Sequence, residues 1–389
     1  MKASTFVYPW DVNGDPEAAA RIAGLGVRQA TLAAAYHSTR ALTPRHPHHR
    51  IVTAEHASVL YPTSPTDGRW AGRALRPYAA GDWAPGDAFG EASSELTRAG
   101  LEVHTWVVLA HNSRLGAEHP SASVVNAYGD RYPWAPCIAQ PATRAYLVDL
   151  AVEAAVRPGA AGTELESLGW YGLQHLHAHD KTGGVPLGDA GMYLMALCFC
   201  ATCREGYGEQ GVDPDELAVA VRTALEPLWQ GAVGDEGWPG VEKLLGASKA
   251  AATRAWRDET ARTLQETAVR AVRAAAPEGF QILLHADPVT YHVGANPGVD
   301  PEHVLSVADG VVVPCAGGPG LLTPFAQTRK DAVIAANFPV ISAMGGSPAT
   351  LAADVAAARE LGATEVRLYH AGLASDDDLS AIREGLAGL

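Results

Sequence analysis

The chain has 389 residues, of which 47% are hydrophobic, and a formal net charge of -14 at pH 7. This hydrophobic fraction is enough for a large core, and so acidic a chain lacks the basic surface that a nucleic-acid-binding protein requires. We therefore expect a globular protein that has no nucleic-acid partner.

The chain shows no sign of export or of membrane insertion. Its first ten residues lack a charged segment followed by an apolar one, and no apolar run is long enough to span a bilayer. The five cysteines fit reduced thiols or metal ligands better than a disulfide framework. We expect a cytoplasmic protein without a membrane partner, and the sequence is compatible with a homo-oligomer.

Apolar, β-branched runs alternate with helical segments along the chain, a pattern typical of parallel strands joined by crossover helices. Strands are predicted at residues 5–10, 28–36, 102–110, 163–168, 281–286, 310–314, 340–343 and 365–369. Helices are predicted at residues 16–23, 89–99, 142–156, 192–209, 240–276, 301–307, 349–361 and 377–386. Eight strand–helix units predict an α/β fold, a (β/α)8 TIM barrel in one catalytic domain over residues 1–389. A doubly wound sheet with a second domain is the alternative.

Two segments are too long to be simple connections between a strand and a helix. Residues 38–87 follow the second predicted strand, and residues 172–239, which include a helix predicted at 214–228, follow the fourth. Because barrel enzymes build their sites from the loops after the strands, we expect both insertions to form walls of a cleft.

Polar and aromatic side chains are concentrated where the predicted strands end, which is where a barrel carries its active site. Aromatic faces combined with acids, amides and imidazoles suit a small carbohydrate. The candidate substrate-binding residues at or beside these ends are Trp10, Asp11, His37, Arg40, His111, Asn112, Trp170, Tyr171, His285 and His370. The seventh predicted strand is followed only by Met344-Gly345-Gly346.

Two acids lie two residues apart on the fourth predicted strand, so Glu164 and Glu166 point to the same face. Cleavage of a glycosidic bond needs a proton donor and a second carboxylate. We predict Glu166 as acid/base and Asp287, after the adjacent strand, as nucleophile or water-activating base, with Glu164 and Asp11 as further candidates. Alternatively, either Glu forms an ion pair with an arginine of a neighbouring strand, and Asp287 caps a turn before Pro288.

Histidines form two further clusters. The triplet His175, His177 and His179, followed by Asp180, either lines a polar cleft or ligates a catalytic metal, which would indicate a metal-dependent hydrolase or isomerase. A second group, after strand two, is either a solvated surface or a site for an anionic sugar or phosphate. This loop comprises His46, His48, His49, Arg40, Arg45 and Arg50.

Three cysteines, Cys198, Cys200 and Cys203, lie within six residues, and Cys137 is the natural fourth ligand of a tetrahedral zinc. Four thiolates leave no open position for substrate, so we expect a structural zinc. The alternative is a group of reduced thiols.

The segment from Cys198 to Tyr207, downstream of Glu166 at the end of strand four, is similar to the zinc-bearing family 42 β-galactosidases. In that family an upstream cysteine completes the zinc site, a role that falls to Cys137 here. The segments Pro136-Cys137 and Thr143-Arg144-Ala145-Tyr146-Leu147 also resemble uncharacterised glycosyl-hydrolase-like barrels of bacteria.

The resemblance implies a barrel, a structural zinc and a glycosidase that uses Glu166 as acid/base. The sequence departs from family 42 in having Leu165 before the acid/base, where the family has Asn, and no glutamate nucleophile at the end of strand seven. We therefore expect a glycoside-hydrolase-like enzyme for a small glycoside or oligosaccharide, with a non-catalytic sugar-binding barrel as an alternative.

Overall fold

The computed structural model describes residues 1–64, 68–176 and 180–388. Eight parallel strands are arranged so that β1 pairs with both β2 and β8, which closes the sheet into a barrel. The strands are β1 Lys2–Val7, β2 Gln29–Tyr36, β3 Glu102–Val108, β4 Gly162–Glu166, β5 Gln281–His285, β6 Gly310–Pro314, β7 Val333–Pro339 and β8 Glu365–Tyr369. The predicted (β/α)8 barrel is confirmed.

Helices connect the strands and surround the barrel. They are α1 Ala18–Ala23, α2 Ala88–Arg98, α3 Ser113–Glu118, α4 Pro141–Ala155, α5 Gly188–Ala196, α6 Ala201–Glu209, α7 Pro214–Trp229, α8 Gly237–Leu245, α9 Ala247–Ala275, α10 Pro301–Val307, α11 Thr323–Thr328, α12 Leu351–Glu360 and α13 Asp376–Leu386. Within the described ranges, none of these helices has the length and apolar character needed to cross a membrane.

Successive side chains of each strand point alternately into the barrel and outward, towards the helices. On β4, Leu165 is fully buried in the large core between barrel and helices, whereas Glu164 points inward. Glu166 lies two residues further along, at the C-terminal end of the same strand, so both acids face the barrel axis.

The seventh strand lies earlier in the chain than its predicted position. Val340 and Ile341 form a buried connection that leads into an exposed 3-10 turn, Ser342–Met344, whereas the strand itself is Val333–Pro339. A short apolar run indicates burial but does not identify the backbone partners that define a strand. The strand end therefore carries Asn337 rather than Met344.

Two predicted helices are each divided in the structure. The segment predicted at 192–209 forms α5 and α6, and that at 240–276 forms α8 and α9. Gly246 separates α8 from α9 because its backbone has φ of 77°, a left-handed conformation that interrupts the helical hydrogen bonds.

The insertion after β2 folds back over the mouth of the barrel. Strands Thr39–Leu42 and Ile51–Ala54 form an antiparallel hairpin, and Ser58–Val59 adds to the edge of β2. A second hairpin, Ser123–Val125 with Arg131–Pro136, precedes α4. The insertion after β4 contains α5, α6 and α7.

Candidate active site

A cleft of about 810 Å³ opens at the C-terminal end of the barrel. Seven of the eight strands each contribute one residue to it: Phe6, Tyr36, Trp106, Glu166, His285, Asn337 and Tyr369. The hairpin after β2 supplies Thr39, Arg40, Thr53 and Ala54 to one wall, and the loops after β4 and β5 supply His175, Leu176, Ala295 and Asn296. The cleft therefore lies where barrel enzymes carry their active sites.

Glu166 is the carboxylate at the base of this cleft. Its side chain is 12% exposed, and its Oε2 accepts a hydrogen bond of 2.6 Å from the indole Nε1 of Trp106. Burial raises the pKa of Glu166 above its ordinary value of 4.5, and the nearby negative charge of Glu164 raises it further. The hydrogen bond from Trp106 and the adjacent His285 only partly oppose this increase.

Glu164 lies deeper in the barrel and has a different environment. It is fully buried, and its Oε1 is 2.5 Å from Nε of Arg367 on the opposite strand, β8. The hydroxyl of Thr31 and the amide of Gln29 also approach this oxygen, at 3.2 and 3.4 Å. Burial alone would raise the pKa of Glu164, but Arg367 and His285 outweigh that effect and lower it to about 2.

His285 lies between the two acids, with Nε2 3.7 Å from Oε2 of Glu164 and Nδ1 3.9 Å from Oε2 of Glu166. One strand thus carries two carboxylates whose pKa values shift in opposite directions: that of Glu164 is lowered and that of Glu166 is raised. Such divergence distinguishes a charged structural or stabilising group from a proton donor. The contacts of Glu164 agree with the ion-pair alternative, and Glu166 is the acid that reaches the cleft.

The structure does not place Asp287 in this cleft. Its Oδ1 accepts a hydrogen bond from the backbone of Val289 at 2.8 Å, and its Oδ2 lies 2.9 Å from Nδ1 of His292. It lines a neighbouring cavity of about 350 Å³ that shares His175, Ala295 and Asn296 with the main cleft. These contacts correspond to the turn-capping alternative, and the hydrogen bond to Asp287 raises the pKa of His292.

Three residues of the cleft with a carboxylate or amide side chain were missed by sequence reasoning. Asn337 lies on β7, whose position was wrongly predicted, and Glu55 follows the second strand of the hairpin. Asn296 comes from the loop after β5. An Asn inside an otherwise apolar strand, as at Asn337, is the one signal that would have identified any of them, because its amide must find a partner when buried.

Histidines gather on one side of the cleft. The ring of His37 stacks on His111 with 4.8 Å between centroids, and His111 lies 4.3 Å from Tyr171 and 5.6 Å from His175. Burial lowers the pKa of His37 to about 4 and that of His111 to about 2, so both rings are neutral at pH 7. The Tyr171 hydroxyl lies 3.2 Å from His175 Nε2. His177 and His179 lie outside the described residues.

Four of the predicted binding residues have partners away from the cleft. Asn112 caps α3 by accepting from the backbone of Leu115 at 3.0 Å. Trp170 donates to the carbonyl of Arg257 at 3.0 Å, and Trp10 stacks on Tyr8 at 4.6 Å. His370 is fully buried beside Tyr8, with 4.3 Å between ring centroids.

Asp11 and the basic loop form a separate crevice behind the barrel mouth. Burial raises the pKa of Asp11 to about 7, and Asp11, Arg45 and His46 line the crevice. Arg45 donates to the carbonyl of Ala371 at 3.0 Å, so this part of the loop is attached to the segment after β8. Of the six basic residues of the loop, Arg40 is the one that lines the cleft.

The four predicted cysteine ligands converge at the start of α6. The sulfur atoms of Cys137, Cys198, Cys200 and Cys203 lie within 4.8 Å of one another, and Cys137 is 3.6 Å from Cys203 and 3.7 Å from Cys200. A tetrahedral zinc with bonds of 2.3 Å separates its sulfur ligands by about 3.8 Å, whereas a disulfide requires about 2 Å. The arrangement therefore fits a tetrathiolate metal site. In the described part of the chain it is the one such His, Cys, Asp or Glu cluster.

The sequence matches no protein-family profile and no curated protein. Among solved structures, α-L-fucosidase isoenzyme 2 from Paenibacillus thiaminolyticus superposes with a TM-score of 0.58 at 10% identity over 100% of this chain and 49% of that one. The β-galactosidase from the psychrophilic Marinomonas ef1 gives a TM-score of 0.57 at 10% identity over 99% of this chain and 59% of that one.

The PgaB (BpsB) glycoside hydrolase domain from Bordetella bronchiseptica gives a TM-score of 0.57 at 14% identity and covers 99% of each chain. This chain thus spans about half the length of the fucosidase but the whole of the PgaB domain. At these identities the likeness concerns the fold: as the sequence motifs predicted, the chain has a barrel like those of glycoside hydrolases.

Proposed function

We propose that the protein is a glycoside hydrolase that acts on a small glycoside or oligosaccharide, with Glu166 as the proton donor. The observation that carries the proposal is the pair of acids on β4. Glu164 is held ionised by Arg367, whereas burial raises the pKa of Glu166 at the base of an open cleft.

The lining of the cleft supports a sugar ligand. Tyr369, which is partly exposed, and Tyr36 provide aromatic surface against which C–H groups of a sugar ring can pack, whereas Phe6 and Trp106 are buried at the base of the cleft. The buried Oδ1 atoms of Asn296 and Asn337 have no hydrogen-bond partner within the protein. Because unpaired buried polar atoms are costly, these groups fit hydroxyls of a bound ligand.

In this proposal Glu166 donates its proton to the glycosidic oxygen as the bond from that oxygen to the anomeric carbon breaks. The hydrogen bond from Trp106 fixes the orientation of the carboxyl group and stabilises the carboxylate that forms. His285 lies between the acids, with one ring nitrogen near Glu166 and the other near the buried negative charge of Glu164.

Glu166→Gln tests this role through the leaving group. With glycosides of alkyl alcohols or sugars the variant should lose about 100- to 10,000-fold in kcat/KM, the contribution of a positioned general acid. With 2,4-dinitrophenyl glycosides, whose leaving group needs little protonation, the loss should be much smaller. Glu118→Gln, which changes a surface acid on α3, serves as the matched control and should keep full activity with both.

Equal turnover by Glu166→Gln and the parent with poor leaving groups would refute the assignment. Binding of sugars by the parent without turnover of any glycoside would instead favour a non-catalytic sugar-binding barrel.

We further propose that Cys137, Cys198, Cys200 and Cys203 hold a structural zinc. The support is the separation of their sulfur atoms, and four thiolates would leave no position for substrate. Metal analysis should give one zinc per chain. Activity that depends on a second, easily chelated ion would favour the metal-dependent alternative.

A further inference from the structure

We infer that the nucleophile of the reaction is the acetamido group of the substrate, so that the cleft is built for 2-acetamido-2-deoxy sugars. The inference rests on the proposed function and specifies its substrate class. It follows from the carboxylates that the cleft contains and from the unpaired groups that surround the proton donor.

Among the residues that the structure describes, Glu166 and Glu55 are the two carboxylates that line the cleft. Glu55 is exposed and follows the second strand of the hairpin, on the outer wall of the cleft. Asp287 lines the adjoining cavity, and both of its oxygens have partners in its own loop. Glu164 is fully buried in its contact with Arg367.

A glycosidase that relies on two carboxylates carries them about 5–5.5 Å apart when retaining, or about 6.5–9.5 Å apart when inverting, on opposite sides of the anomeric carbon. The described lining gives Glu166 no such buried partner. Substrate assistance removes this requirement because the amide oxygen at C2 of the sugar takes the place of the second carboxylate.

An acetamido group needs an apolar surface for its methyl and polar partners for its amide. Beside Glu166, Trp106 lies 4.7 Å from Phe6, 4.6 Å from Tyr36 and 6.0 Å from Tyr369, measured between ring centroids. These four rings form an aromatic box at the base of the cleft. Phe6 and Trp106 are buried, so Tyr369, with a smaller contribution from Tyr36, is the part of the box that offers an apolar surface to the cleft.

Asn337 and Asn296 provide the polar partners. Each has a buried side-chain oxygen without a partner in the protein, and each lines the cleft. A side-chain amide offers both a donor and an acceptor, so it can accept from the N–H of the acetamido group or donate to its carbonyl. Two unpaired amides beside an aromatic box thus match an amide-bearing sugar.

The reaction then proceeds in two steps, formation and hydrolysis of a cyclic intermediate. As Glu166 gives its proton to the leaving oxygen, the acetamido oxygen bonds to the anomeric carbon, the glycosidic bond breaks and an oxazolinium ion forms. Glu166, now a carboxylate, takes a proton from water. The water oxygen bonds to the anomeric carbon, and the carbon–oxygen bond of the oxazoline ring breaks to restore the acetamido group.

The test compares 4-nitrophenyl glycosides that differ only at C2, acetamido against hydroxyl, in both the gluco and galacto series. We expect kcat/KM to be at least about 100-fold higher for one acetamido substrate than for its hydroxyl analogue. The matching sugar thiazoline, which copies the cyclic intermediate, should inhibit competitively. Asn337→Ala should lose about 10- to 100-fold on the acetamido substrate while its melting temperature changes little.

Two further variants separate this mechanism from one with two carboxylates. Glu55→Gln and Asp287→Asn should each retain more than a tenth of the parent kcat on the acetamido substrate. A loss of more than about 100-fold in either would identify a protein carboxylate as the second catalytic group and overturn the inference.

Equal or preferred turnover of the hydroxyl substrates, or a covalent adduct from a 2-deoxy-2-fluoro glycoside, would also overturn substrate assistance while leaving the glycoside hydrolase assignment intact. Absence of turnover from every glycoside by the folded protein would overturn both.

Discussion

Replacing Arg367 by Met should destabilise the protein through the charge that it leaves on Glu164. Both side chains are fully buried, and their 2.5 Å contact joins β8 to β4 across the barrel. Removing one member of such a pair costs about 3–5 kcal/mol because the other charge stays buried without a partner. For a chain of this length, that corresponds to a decrease of about 4–6 °C in melting temperature.

The pKa of Glu164 gives the net effect of burial, Arg367 and His285 on the same carboxylate. Its folded value of about 2, against an ordinary 4.5, corresponds to about 3 kcal/mol. Because the folded pKa is depressed, this stability is fully present above pH 4.5 and is lost as the pH falls towards 2. In Arg367→Met, burial should instead raise the pKa of Glu164, so the deficit relative to the parent should narrow between pH 7 and pH 4.

Urea unfolding of the parent, Arg367→Met, Glu164→Gln and the double variant at both pH values measures these quantities. The double variant should be more stable than the sum of the two single losses predicts, because the uncompensated charge has been removed. A loss below about 1 kcal/mol in Arg367→Met at pH 7, or additive effects in the double variant, would contradict this account.

Three other outcomes are expected. Cys203→Ser should release the bound metal and lower the melting temperature, as measured by metal analysis and thermal unfolding; full metal retention would argue against the tetrathiolate site. Trp106→Phe removes a hydrogen bond that lowers the pKa of Glu166, so the alkaline limb of the kcat/KM profile should move to higher pH, and an unmoved limb would contradict the role of Glu166. In Gly310→Ala the added Cβ would lie 2.0 Å from a backbone oxygen of the next strand, so unfolding should become easier by about 3 kcal/mol, whereas Gly317→Ala, with open space around it, should change stability by less than about 0.5 kcal/mol.

The barrel could be predicted from the sequence because its signals are local. Apolar runs such as residues 310–314 and 365–369 match the strands of the structure residue for residue. The seventh strand was predicted too late in the chain because Asn337 and Pro339 lower its β-propensity. Val340 and Ile341, which follow it, are apolar and buried but form a connection rather than a strand. Backbone pairing, which decides between the two segments, is a long-range property.

The residues of the candidate site were likewise predictable only where a local sequence pattern places them. Glu166 could be identified because it lies on the strand whose pattern predicted it. Glu55 and Asn296 reach the cleft from loops whose path depends on the packing of the whole barrel. Asp287 follows a strand as predicted, but the turn that it caps directs its carboxylate to its own loop.

The contact between Glu164 and Arg367 also bears on how the chain could be divided. Strands β1 to β4 form one half of the barrel and β5 to β8 the other, and the two charges belong to different halves. A fragment that ends between β4 and β5 would contain the buried acid Glu164 without its arginine, whereas the complementary fragment would keep Arg367 beside Glu365 of its own strand, at 2.8 Å. The first fragment should not fold stably alone, yet the two should associate when mixed, since the second supplies the positive charge that Glu164 needs.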